Sequence, residues 1–88
     1  MSSNCVVCGQ PYAEEHHVFF GTGLRKISEK HNFKVRLCYA HHRQQPTGVH
    51  GGNRQLDLEL KVKCQFEYEK THTRAEWLKL IGRNYIED

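Results

Sequence analysis

The sequence lacks any apolar run of signal-peptide or membrane-spanning length, any internal repeat and any low-complexity segment. The first absence argues against a transmembrane or secreted chain, so a reducing, cytoplasmic setting is expected. The other two exclude solenoid and linker-like architectures. Apolar residues are also scarce, at 38% of 88 residues. A chain of this length is expected to form one domain, 1–88, with a small core that needs a staple such as a metal or a disulfide.

Cysteine and histidine are plentiful, at four and seven residues. In a reducing compartment paired cysteines are expected to bind metal rather than to form disulfides. The formal net charge is +3 and the isoelectric point about 8.8, which permits a polyanionic partner without demanding one. The positive charge is concentrated: from Leu24 to Arg54 the residues Arg25, Lys26, Lys30, Lys34, Arg36, Arg43 and Arg54 face a single acid, Glu29.

Local patterns give an order of elements. Cys5-Val-Val-Cys8-Gly9 reads as a tight knuckle. Val18-Phe19-Phe20 is a short β-prone run, broken by Gly21-Thr22-Gly23. Leu24 to His31 reads as a short helix, and Phe33, Val35 and Leu37 alternate with Lys34 and Arg36 as a half-buried strand with a basic outer face. Cys38 to Arg43 should open a helical turn that Pro46 and Gly48 end. Leu56, Leu60, Cys64 and Tyr68 recur at helical spacing up to about Lys70. Thr73-Arg-Ala-Glu76 is a capping box ahead of Trp77, Leu80 and Ile81, with Gly82 as the stop. Those three apolar residues are read as core, with a homodimer face as the alternative.

Cys5-x2-Cys8 and Cys38-x2-His41 are two ligand pairs at the spacing that lets each converge on one ion, so a structural zinc site is expected there. Cys64 could compete with His41 as fourth ligand, although a buried free thiol on the apolar helix stripe is its more ordinary reading. If His41 faces that ion from the first helical turn, His42 points about 100° away and cannot easily join it. His16-His17, His42 and His50 then remain without a partner, and His31 and His72 are read as solvent-facing. A regular strand would send His16 and His17 to opposite faces, so both serve one site only if the chain bends there.

Glu15-His16-His17, followed by Leu37-Cys38-Tyr39-Ala40-His41-His42, resembles the HNH nucleases of the His-Me finger (ββα-metal) class. His-His-Val-Phe-Phe-Gly and Gly48-Val49-His50 look most like small phage-encoded, recombination-associated members. The resemblance covers roughly residues 5–50 and implies an α+β, zinc-stapled ββα-metal fold. A zinc knuckle and core would span 5–50, and two C-terminal helices, 53–88, would support it. It implies a metal-dependent DNA endonuclease, located in the host bacterial cytoplasm if phage-encoded. Residue by residue, it makes His17 the general base, with His16 and His42 as ligands of one catalytic divalent metal and His50 as a candidate further ligand. The middle Asn of the motif has no good match, since Asn32 falls about one residue off and Asn53 is the remaining candidate.

Such an enzyme would use neutral His17 to take a proton from water, while the ion binds a phosphoryl oxygen and the leaving oxygen. Imidazole ligands favour Zn2+, Ni2+, Co2+ or Mn2+ over Mg2+. Arg25, Lys26, Lys34, Arg36, Arg43 and Arg54 would hold DNA phosphates without reading sequence. The alternative is a non-catalytic zinc module that binds nucleic acid or protein.

Overall fold

A computed structural model describes residues 4–21 and 23–86. Met1-Ser2-Ser3, Thr22 of the expected Gly21–Gly23 break, and the acidic Glu87-Asp88 lie outside them. Strand β1 is Glu14–His17, helix α1 Leu24–His31, strand β2 Lys34–Leu37, and the short helix α2 Tyr39–His42. A 3-10 turn at Val49–Gly51 precedes the helices α3, Arg54–Glu69, and α4, Arg74–Ile81. This is a small α+β arrangement, and none of its described helices is long and apolar enough to cross a membrane.

β1 and β2 pair antiparallel, with Glu14 opposite Leu37, Glu15 opposite Arg36, His16 opposite Val35 and His17 opposite Lys34. Side chains alternate along a strand, so Glu14, His16, Val35 and Leu37 share one face, and Glu15, His17, Lys34 and Arg36 the other. The His-His pair ends β1 rather than opening a tight hairpin, and α1 is inserted between the two strands. Asn32 closes α1 in the left-handed region at φ 58°, which an asparagine tolerates, and its N–H is donated to the Ser28 carbonyl.

The β-prone run Val18-Phe19-Phe20 is not a strand. Its backbone is taken by other partners: Phe19 N–H donates to Ser28 Oγ at 3.1 Å, and that hydroxyl donates to the Phe19 carbonyl at 2.6 Å. This buried clasp turns the Phe19 ring into the core, 5.4 Å from Trp77 and 5.7 Å from Tyr85 between ring centroids. The same core takes Leu37 and Cys38 from the first half of the chain and Leu56, Leu60 and Trp77 from the two long helices. The C-terminal helices therefore complete the core on which β1, β2 and α2 rest.

Trp77 is fully buried, with Nε1 donating to the Arg83 carbonyl at 2.8 Å, while Leu80 and Ile81 pack partly buried against the core. α4 starts with the expected capping box between Thr73 and Glu76 and ends at Gly82. His31 and His72 are exposed as expected but not without partners, since His31 stacks on Phe33 and His72 on Tyr68.

Candidate metal centres

The knuckle forms because Gly9, at φ 79°, lets the chain reverse so that its N–H reaches the Cys5 carbonyl at 2.9 Å. Val6 N–H donates to the Arg36 carbonyl at 2.9 Å, docking the knuckle on the end of β2, where Cys38 begins α2. Cys38 Sγ then lies 3.2 Å from His41 Nδ1 and 3.6 Å from Cys8 Sγ, and Cys5 Sγ lies 3.7 Å from His41 Nδ1. A zinc tetrahedron with ordinary bond lengths has S···S edges of about 3.8 Å and S···N edges of about 3.5 Å. The four atoms thus already stand at ligand separations, and Cys5, Cys8, Cys38 and His41 could hold a zinc ion. Burial opposes ionisation of Cys5, but backbone N–H groups of Cys38, Cys8 and Val7 outweigh it and hold the thiol at about 6. Cys64 stands apart from this set, half-buried, its thiol pushed up to about 12 by burial.

One residue further along α2 a second set begins. His16, His42 and His50 converge, each offering a nitrogen within 4.8 Å of the others. Their ring centroids are 5.1 Å (His16–His42), 5.2 Å (His16–His50) and 4.9 Å (His42–His50) apart. His16 comes from the inner face of β1, His42 from α2 and His50 from the 3-10 turn.

The turn is pressed onto α2 by two glycines. A Cβ on Gly48 would sit 2.6 Å from the Arg43 nitrogen, and one on Gly51 would collide with the Gln44 carbonyl. Asn53 then pins the loop, donating to the Thr47 carbonyl at 3.0 Å and capping α3 by accepting from Leu56 N–H. Both asparagines considered for the middle HNH position thus have backbone-shaping work, Asn32 at the end of α1 and Asn53 at the start of α3.

His16 is 2% exposed, and its Nε2 is buried with no hydrogen-bond partner, a costly state for a polar atom unless an ion or other ligand meets it. Burial first, and the charges of His42 and His50 next, push His16 down to about 4, so it is the neutral imidazole that a metal requires. His42 Nδ1 is 3.0 Å from Glu14 Oε1, which leaves Nε2 as its ligand atom. Glu14 was missed in the sequence, although it sits two residues before His16 and hence on the same strand face. Phe20 closes the other side, with its ring centroid 5.1 Å from His50 and 5.9 Å from His16.

His17 does not join this set. The register of β1 continues through it, so its ring lies on the opposite face, with Nε2 3.2 Å from Glu29 Oε1 but not aligned for a hydrogen bond. The strand is regular through both residues, so the bend that would bring His16 and His17 to one site is absent. Two of the expected DNA-binding cations are also engaged elsewhere. Lys34, 20% exposed, pairs with Glu29 at 3.0 Å and Glu15 at 3.7 Å, and Arg43 pairs with Glu14 at 3.2 Å. Arg36 Nη1 reaches the Ala13 carbonyl at 3.5 Å. Arg25 and Lys26 are exposed on α1, and Arg54 is exposed at the first turn of α3.

No protein-family model matches the chain, and no curated protein or solved structure matches it either.

Proposed function

We propose that the protein is a metal-dependent DNA endonuclease in which Cys5, Cys8, Cys38 and His41 hold a structural zinc and His16, His42 and His50 hold a catalytic divalent metal. The observation that carries this reading is the second set: three convergent imidazoles, one with an orphaned buried nitrogen and one backed by a carboxylate, beside a complete four-ligand site that needs none of them. Four protein ligands close a structural site, whereas three leave a position for water or substrate. An ion bound there would polarise a phosphoryl oxygen and make water more acidic.

The chain's own groups supply the rest. Glu14 fixes the tautomer of His42. The Phe20 ring walls the site on one side. His17 keeps the role of general base in this reading, with Glu29 beside its Nε2. Its ring lies on the face of β1 opposite the triad, so this role requires the substrate to wrap the outer edge of β1, which carries no paired strand among the described residues. The exposed Arg25, Lys26 and Arg54 hold DNA phosphates.

The alternative reading is a zinc module that binds nucleic acid or protein without cleaving; its protein-binding form is favoured by one observation, that Lys34 and Arg43 are paired with the protein's own acids. Plasmid nicking with Mg2+, Mn2+, Ni2+ and Zn2+ titrated separately decides between the two. The endonuclease nicks, and both His42→Ala and His17→Ala abolish nicking while DNA binding survives. Absence of nicking by the wild type with every ion leaves the binding module. Full nicking by His17→Ala removes that residue from the mechanism.

A further inference from the structure

Lys61 has an environment that a solvated surface lysine does not need. It lies on α3, 18% exposed, with Nζ 2.9 Å from Asp57 Oδ2 one turn earlier. Three aromatic rings surround the ammonium, with centroids at 5.3 Å (Phe20), 5.8 Å (Tyr85) and 5.9 Å (Phe19). Phe20 is also the ring that packs against His16 and His50. The ammonium and the histidine triad are therefore neighbours across one side chain. Asp57 Oδ1 is buried and accepts no hydrogen bond, so Lys61 satisfies only half of that carboxylate.

The side chains of this i,i+4 pair are only 18% and 23% exposed, so the ammonium gives up much of its hydration, which one carboxylate oxygen and the ring faces replace only in part. Desolvating a lysine next to a prospective cation site is unfavourable unless an anion joins both. An ammonium has three donors, and Asp57 takes one. We propose that Lys61 is a phosphate-binding residue of the triad site: its ammonium takes a non-bridging oxygen of the phosphodiester that also meets the ion held by His16, His42 and His50. This rests on the endonuclease reading for the identity of the phosphodiester, but not for the existence of an anion site. Asp57 and the aromatic faces of Phe19, Phe20 and Tyr85 are positioning groups that hold the ammonium in place. A fixed cation gains most where charge accumulates on phosphorus oxygens, so its effect should fall on kcat more than on KM.

The test uses the zinc-loaded full chain, with Lys61→Met to remove the charge, Lys61→Arg to restore it, and Asp57→Asn/Lys61→Met to avoid a stranded carboxylate if the single variant fails to fold. Three readouts are taken: binding of a short DNA duplex across a salt series, the Lys61 side-chain NMR signal during titration with inorganic phosphate, and single-turnover cleavage. The expected results are a lysine signal that moves with phosphate and a log–log salt slope shallower by about 0.9 in the Met variants, the value for one lost phosphate contact. Cleavage should fall by about 10²–10³-fold and be partly rescued by Arg.

A lysine signal that ignores phosphate, together with an unchanged salt slope in a folded Met variant, overturns the proposal even if the wild type cleaves. A wild type that cleaves nothing, but whose slope and lysine signal respond as expected, removes the endonuclease reading and leaves the phosphate site standing.

Discussion

His41 and His42 are neighbours on a four-residue helix, yet their rings belong to different groups. His41 completes a set with three cysteines drawn from a knuckle and a strand end. His42 completes a set with two histidines drawn from a strand and a glycine-bound turn. The first set has four ligands, is rich in thiolate and includes the exposed Cys8. The second has three ligands, is all imidazole, and includes two of the four buried polar residues among those described. A short helix can thus serve two sites because consecutive residues diverge by about 100° around its axis. In the proposed reading, the difference in ligand number separates a site that would hold the chain together from one that would leave room for a substrate.

The largest expected effect lies on the cysteine side. Structural zinc contributes about 10–16 kcal/mol in small zinc domains, as much as the whole stability of an ordinary domain of about 5–15 kcal/mol. Cys38→Ala, or chelation of the wild type, should abolish the cooperative thermal transition in circular dichroism. A sharp transition surviving in Cys38→Ala would erase the contrast between the two sets.

The histidine side should respond in the opposite way. His42→Ala is expected to keep a cooperative transition and the zinc, while losing the second ion and at least about 10²-fold in cleavage, in line with removing a major transition-state contact. Calorimetry and single-turnover cleavage check the two halves separately. A smaller effect is expected one step behind the ligand. Glu14→Gln keeps a hydrogen-bond acceptor for His42 but loses the charge, and should weaken second-ion affinity by about 10–100-fold in a metal titration. Equal loss of both ions in this variant would mean that the two sets are one cooperative unit.

The smallest effect belongs to neither set. Glu76 is held below its ordinary value of 4.5, first by the Thr73 backbone N–H, as the acid of the capping box on α4. A carboxylate depressed in the folded state stabilises above its unfolded pKa, and that contribution is lost as pH falls through the lower folded value. Glu76→Gln should therefore flatten the acid limb of the melting profile below about pH 5 without altering metal content.

How much was legible in the sequence follows the range of the interactions involved. α1, β2, α3 and α4 were readable because their signals are local: alternation at Val35 and Leu37, i,i+4 spacing from Leu56, and the Thr73–Glu76 box. The Cys3His set was readable for the same reason, since each pair spans one turn. The Val18–Phe20 run misled because its β propensity was overridden by Ser28, a partner nine residues away that no pattern announces. His50 could be offered only as a candidate because its approach to His42 depends on the close packing of Gly48 and Gly51 against α2. His17 was assigned by resemblance to the site of His16, but a regular strand separates their side chains. The pairing of the basic residues was not legible, because charge counts carry no partners: Lys34 meets Glu29 and Glu15, and Arg43 meets Glu14.

The central claim is that adjacent histidines serve two ions, and native mass spectrometry of wild type beside His42→Ala counts them directly. The account predicts two ions on the wild-type chain loaded with zinc and one on the variant, with the remaining ion removed only on unfolding. A single ion on both proteins, at metal concentrations that saturate the knuckle, would contradict it.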